Sequence, residues 1–347
     1  MLYIHQTRCL SPQQTLDEID LNRLTVSGNG KLPVKEPVYP QIPPGVLRRM
    51  GKAVRMSVGI ALPLLQQAVQ PDGILIGTAN GGIEDCIKFL NQIIEYNEGL
   101  LTPGNFVQST SNAPAAQIAL ITRNRNYNTT HTHRGLAFEN ALLETTLLLN
   151  ENPEHYYLVG AVDEISSYNY NIDRLDGCFK EEPVSNQDLF LYDTPGTIAG
   201  EGALMMLASA KPSGAIACID AIQTLHTREH ALVKQMLLQF LRKNKVDPAE
   251  IDLLLTGENG DSRLKGYYLD AESIFPDHTA LARFKHLSGE YCTASSFGFW
   301  LATDILRTGQ VPAIAVKRAT AKPCKKILIY NNYRGLQHAF ALLSQTG

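Results

Sequence analysis

Asn128-Thr129-Thr130-His131-Thr132-His133-Arg134-Gly135-Leu136-Ala137-Phe138 is the stretch on which the reading of this chain turns. It sets the hydroxyl of Thr132 between two imidazoles, His131 and His133, on a tight turn. A hydroxyl beside a base is one recipe for covalent catalysis. Adjacent residues on a tight turn point in different directions, however, so adjacency alone does not make a Thr–His pair. A threonine hydroxyl is not appreciably ionised near neutral pH, whereas a thiolate is accessible there and strongly nucleophilic.

The bulk properties bound the problem. A chain of 347 residues can bury a large core, as one big domain or two fused halves. Its 44% hydrophobic and 19% charged composition is that of an ordinary soluble globular protein. A net charge of −3 gives no reason to expect nucleic-acid binding. No apolar run reaches the ~18 residues of a membrane span, and Met-Leu-Tyr-Ile-His lacks the layout of a signal peptide. Cysteines 9, 86, 178, 218, 292 and 324 are scattered without a Cys-x-x-Cys pair. That favours free, mostly buried thiols in a reducing cytoplasm, with no metal and no cofactor expected.

Short apolar strands alternate with amphipathic helices. Gly73 to Thr78 reads as a buried strand breaking into the glycine-rich turn Gly77 to Gly82. A helix follows from about Ile83 to Tyr96, with Ile83, Cys86, Ile87, Leu90 and Ile94 at helical spacing. Tyr156 to Val162, Gly202 to Ser209 and Ala215 to Gln223 read as strands. His230 to Lys243 reads as a helix, Ile251 to Thr256 as a strand and Cys292 to Thr308 as a helix; Ala313 to Val316 and Lys326 to Tyr330 close the chain as strands. The alternation predicts an α/β fold with helices covering central sheets. Lys211-Pro212-Ser213-Gly214 is the expected seam between halves spanning residues 1–210 and 211–347 of one compact unit. Pro183 to Asp193 reads as a surface loop.

Several segments, in order along the chain, resemble the ketosynthase branch of the thiolase fold. Thr130 to Gly135 resembles the nucleophile turn of β-ketoacyl synthases, Thr-Ala-Cys-Ala-Ser-Gly, which puts Thr132 where the reactive cysteine belongs. Arg48-Arg49-Met50 resembles the family's Arg-Arg-Met helix, and Ile76 to Gly82 its early strand and turn. Thr110 to Ala119 resembles the dimer-interface segment; Val159 to Glu164 and Gly200 to Ala203 resemble two further strands. The resemblance implies a thiolase-like five-layer αβαβα fold built from two similar halves, and an obligate dimer.

It also implies a lost reaction centre. The first catalytic histidine, in Ala-His-Gly-Thr-Gly-Thr, aligns with Gly257 of Thr256-Gly257-Glu258-Asn259-Gly260-Asp261. The second, in Lys-Ser-x-x-Gly-His, aligns with Glu290, while Lys285 is retained. The Gly-Phe-Gly-Gly-Thr-Asn gate reads Arg334-Gly335-Leu336-Gln337-His338-Ala339. Decarboxylation builds an enolate, which needs donors or positive charge aimed at the developing oxygen. Gly257 offers no donor, and an ionised Glu290 repels both the enolate and the malonyl carboxylate. At ~4 Å and an effective dielectric of ~20, two like charges cost about 4 kcal/mol, or about a thousandfold in rate. Glu258 and Asp261 are expected to add to that negative field, and Lys285 to pair with Glu290 or Glu258.

Arg48, Arg49, Lys52 and Arg55 fall on one face of an expected helix, opposite Leu47, Met50, Val54, Val58 and Leu62. Ketosynthases present a basic patch near this helix to acyl carrier protein, so these four are the expected carrier contacts. Phe106, Asn112 and Gln117 are expected at the dimer interface, near the partner's acyl tunnel. Three function classes follow. One is a catalytically silent, chain-length-factor-type subunit paired with an active ketosynthase in polyketide- or fatty-acid-like synthesis, most similar to the aryl polyene and flexirubin pathway proteins. The second is a diverged acyltransferase or hydrolase using Thr132, or Cys292 activated at a helix start. The third is a homodimer that binds acyl carrier protein or an acyl chain.

Overall fold

The computed structural model describes every residue except 68, 69, 80, 100, 102, 320, 321 and 347; the side chain of Gln67 is likewise not described. Asn80, in the expected glycine-rich turn, lies outside the described residues. The first half runs β1 (Leu2–Leu10), α1 (Lys52–Gln67), β2 (Gly73–Gly77), α2 (Ile83–Glu95), α3 (Ala113–Thr122), β3 (Tyr127–His131), α4 (Ala137–Glu151), β4 (Tyr156–Asp163), α5 (Ser167–Leu175) and β5 (Gly202–Ser209). The second runs β6 (Ala217–His226), α6 (His230–Lys243), β7 (Leu253–Thr256), α7 (Lys265–Glu272), β8 (Ala280–Arg283), α8 (Ser295–Thr308), β9 (Val316–Arg318), β10 (Lys326–Tyr333) and β11 (Gln337–Ser344).

The strands hydrogen-bond in the order β9-β8-β7-β10-β11-β6-β1-β5-β4-β2-β3. Outward from the central antiparallel β1–β6 pair, the two directions repeat one pattern. β1–β5 and β5–β4 are antiparallel, then β4–β2 and β2–β3 parallel. β6–β11 and β11–β10 are antiparallel, then β10–β7 and β7–β8 parallel. Helices α1 and α6, and then α4 and α8, take matching places in the two runs. Lys211 to Gly214 lies in the β5–β6 connection.

Period-2 alternation explains the layering. Along β5, Leu204, Met206 and Ala208 face a core shared with α4 and α8, whereas Ala203, Met205 and Leu207 face α1 and α3. Along β7, Leu253 and Leu255 join the shared core, while Leu254 turns to α6 and α7. Each fully buried Leu or Phe of these faces stabilises by roughly 2 kcal/mol. Outer helices, sheet, central helices, sheet and outer helices make the five layers of the thiolase-like fold.

Four local expectations are corrected. No single helix carries Arg48 to Arg55: a four-residue helix, Pro44–Leu47, stops, and α1 begins at Lys52. Ala313–Ala315 is a 3-10 turn ahead of β9. The last strand, β11, is an addition to the sequence reading. In the Pro183–Asp193 loop, Val184 and Leu189 are buried against Leu32 and Ile198, which anchors that segment to the body.

Candidate functional site

A cavity of about 510 Å³ opens at the C-terminal ends of β4, β7 and β10, and Arg134, Glu290, Cys292, Tyr333 and Arg334 are among its lining residues. The turn after β3 contributes Arg134 to it, not Thr132. Thr132 and His133 are exposed. His131 instead pairs with Glu144 of α4, which also accepts from the Tyr127 hydroxyl. The turn is pinned by Arg134, whose backbone sits at φ +47°, and by Gly135. A Cβ on Gly135 would lie 2.3 Å from Cβ of Tyr333, and its N–H donates to Oε1 of Gln337 at 3.0 Å. The expected nucleophile position is therefore on the surface and outside the cavity lining.

At Gly257, where the resemblance puts the first histidine, side chains crowd the backbone. A Cβ on Gly257 would meet Oδ1 of Asn331 at 2.4 Å and Cε of Lys285 at 3.0 Å. Lys285 is fully buried; its Nζ donates to Oε2 of Glu290 at 2.8 Å and to the Asn332 carbonyl at 3.1 Å. Nδ2 of Asn259 donates to the same Glu290 oxygen at 2.7 Å. Of the two expected partners, Lys285 thus takes Glu290. On α4, Glu139 is fully buried, and neither of its carboxyl oxygens has a hydrogen-bond partner. Burial pushes its carboxyl up to about 7, with Ser295 and Lys285 pulling the other way. The centre of the site is a closed polar cluster.

The expected negative field is not free-standing. Glu258 accepts from Lys317 at 2.7 Å and faces Arg283 at 3.6 Å. Asp261 is clasped by Arg263 at 2.6 Å, and Arg334 holds Asp173 and, at 2.7 Å, Asp176. The thiols are quiet too. Cys292 lies three residues ahead of α8, its sulfur 3.1 Å from the Tyr333 hydroxyl, and burial pushes its thiol well above the usual range. Burial also pushes Cys178 up to about 11; at neutral pH only about one molecule in ten thousand carries that thiolate. Activation of Cys292 by a helix start is thereby corrected.

The basic patch is half consumed. Lys52 pairs with Glu201, a fully buried carboxylate that also accepts from the N–H groups of Val34 and Ile165. Arg55 makes a two-pronged pair with Glu36, at 2.7 and 3.1 Å. Arg48 and Arg49 are exposed at a groove of about 830 Å³ that also carries Lys88, Glu84 and Asp85. Asn112 donates to side chains of β3, Oδ1 of Asn128 at 3.1 Å and Oγ1 of Thr130 at 3.0 Å. Phe106 is exposed, its ring 5.3 Å from that of Phe89 and tilted by 54°, and Gln117 is half-buried on α3. β3 ends the sheet, and among the described residues no strand pairs with its outer edge; exposed Tyr127 lies on it, and exposed Leu120 and Leu147 lie on the helices packed against it.

Sequence reasoning missed Arg134, Asn259 and Glu139. Arg134 lies inside the decisive stretch, but its positive φ has no sequence signal. Nothing in the sequence distinguishes Glu139 from a first-turn acid on a solvated helix face.

Residues 27–179 match a family model described as "Beta-ketoacyl synthase, N-terminal domain". No curated protein matches the sequence. Among solved structures, the ishigamide ketosynthase/chain length factor superposes with a TM-score of 0.74 at 17% identity, covering 100% of this chain and 99% of that one. The ketosynthase (ApeO) in complex with its chain length factor (ApeC) from Xenorhabdus doucetiae gives 0.79 at 15%, covering 99% and 98%. AntDE:AntF, a type II PKS acyl-carrier protein in complex with its ketosynthase bound to the hexaketide, gives 0.77 at 13%, covering 100% and 99%. The fold is that of ketosynthases and chain length factors. Among the described residues no helix is long and apolar enough to cross a membrane.

Proposed function

We propose that this chain is a catalytically silent, chain-length-factor-type subunit that pairs with an active ketosynthase and shapes its acyl tunnel. The observation that carries the reading is the site around Gly257, where Asn331, Lys285 and Phe284 crowd the position at which the resemblance puts a catalytic histidine, and Lys285 is tied to Glu290. The exposed Thr132 and the unionised Cys292 support it further, since both leave the cavity without an attacking group. Pairing is supported by the unpaired β3 edge with its apolar flanks, because exposed strand edges and contiguous apolar patches mark association surfaces.

In this reading the chain works in the cytoplasm, and Arg48 and Arg49 are the residues left free to meet an acidic carrier protein. The product is a polyene or fatty-acid-like chain of the aryl polyene or flexirubin kind. Similarity to the ishigamide and ApeO–ApeC assemblies and the Ser111 to Ala115 segment support that choice. The test is to offer the purified chain an acyl-loaded carrier protein and weigh it intact. The expected mass is unchanged. An acyl adduct lost in Thr132→Ala or Cys292→Ala would revive the diverged-enzyme reading.

A further inference from the structure

A second cavity, of about 390 Å³, sits at the far end of the central helix α8. Cavity one lies ahead of α8 at Cys292, whereas this one is lined by Trp300 at the middle of the helix and by Thr303, Asp304 and Arg307 toward its C-terminus, and the two share no lining residue. Fourteen residues of α helix span ~20 Å, so the two are separate sites. The fold creates it. β1 pairs with β6 only through Leu2, Ile4 and the residue between them, but with β5 as far as Leu10. Beyond Ile4 the strands fork, and Gln6, Thr7 and Arg8 border the opening.

Its walls divide by chemistry. Trp300, Leu16, Leu64 and Ile216 supply an apolar side, and Gln6, Arg8 and the Arg307–Asp304 pair, closed at 2.6 Å, a polar one. Two buried polar atoms on that side have no partner: Nε of Arg8 and Oε1 of Gln6. Buried polar atoms nearly always have one; the Arg8 Nε–H is a donor that an anionic group would satisfy, whereas the Gln6 oxygen is an acceptor that a carboxylate leaves unmet. The remaining reach of Arg8 is a 3.0 Å pair with Asp17, whose side chain is 78% exposed. A pair that exposed is worth little and is readily exchanged for a stronger acceptor.

We propose that this fork cavity binds a small amphipathic carboxylate, its head on the Nε edge of Arg8 in place of Asp17 and its apolar body against Trp300. A carboxylate meets a guanidinium edge with two parallel charge-assisted bonds, which neither an alcohol nor a lone chloride reproduces. The size suits a ligand of metabolite scale, and an apolar wall with a few fixed polar groups is the usual make-up of such sites. This inference is independent of whether cavity one is silent.

Trp300 is the chain's single tryptophan and lies between this cavity and the shared core, so its emission is read without a second tryptophan. The full chain is titrated with octanoate, with octanol as the same body lacking the charge, and with acetate as the charge lacking the body. Octanoate is expected to shift Trp300 emission saturably, with octanol and acetate each weaker by about tenfold or more. Arg8→Met, which keeps the stem, should weaken octanoate by about tenfold, and Asp17→Asn, an exposed change that spares the fold, should tighten it. Octanol binding as well as octanoate, no saturable shift, or an affinity untouched by Asp17→Asn would each overturn the proposal.

Discussion

At Gly257 the proposed loss of chemistry is tied to the packing of Asn331, Lys285 and Phe284 around the backbone. Gly257→His would drive an imidazole into Asn331 and Lys285, so it should lower the thermal midpoint by about 1–3 kcal/mol of stability. Combined with Thr132→Cys and Glu290→His, it should still give no malonyl decarboxylation, because Thr132 does not line the cavity. Glu139 supplies a pH signature. Its carboxyl, ordinarily near 4.5, is held at about 7, so the folded chain keeps a proton that the unfolded chain sheds across that window. Folding then loses stability as pH rises from about 4.5 to 7, by roughly 3 kcal/mol in all. Glu164, also pushed by burial to about 7, acts in the same sense. Buried His286 and His338, both held near 4, act oppositely below about 6.5. The variant isolates one group: Glu139→Gln should gain on the parent as pH rises, by about 4 °C in midpoint at pH 7.5 relative to pH 4.5. A constant difference across that range would mean that Glu139 does not titrate so. Motif positions such as Thr132, Gly257 and Glu290 were legible because a motif is local. The Lys285–Glu290 pair was legible as one of two options for the same reason, whereas the part of Asn259 in it and the burial of Glu139 were not, since they depend on how separate segments pack.

Two elements carry the expected surfaces, and each separates folding from binding. At the start of α1, Lys52 neutralises the fully buried Glu201. Lys52→Glu should therefore cost about 3–5 kcal/mol and yield little folded protein, as breaking a buried pair strands a charge. Arg48→Glu with Arg49→Glu touches only exposed side chains; it should leave the midpoint unchanged while weakening carrier-protein association in a titration at low salt. At the β3 edge, Leu120→Asp with Leu147→Asp should likewise spare the fold but abolish co-purification with a partner ketosynthase. Long amphipathic elements were readable: the sequence places α6 and β5 at their observed bounds, His230–Lys243 and Gly202–Ser209. β11 escaped because Gln337 and His338 mask the start of an otherwise apolar strand. The supposed single helix over Arg48 to Arg55 failed because its periodicity runs straight through a backbone turn that periodicity cannot see.

Across the whole molecule, the repeated strand order on either side of β1–β6 puts α4 and α8 back to back in one shared core. A scaffold of that kind holds its shape whether or not its cavity turns over substrate, and a silent subunit needs that property to complete a dimer. The repeat was legible only as alternation; the β1–β6 junction joining the halves depends on pairings that no local pattern announces. The measurement that bears most directly on the account is co-expression of this chain with a cysteine-bearing ketosynthase encoded beside it, followed by size exclusion and intact-mass analysis after acyl-carrier loading. A one-to-one complex acylated on the ketosynthase alone, with that acylation lost in the Leu120→Asp, Leu147→Asp pair, is the predicted result. A homodimer that ignores the ketosynthase, or an acyl group on this chain, would contradict it.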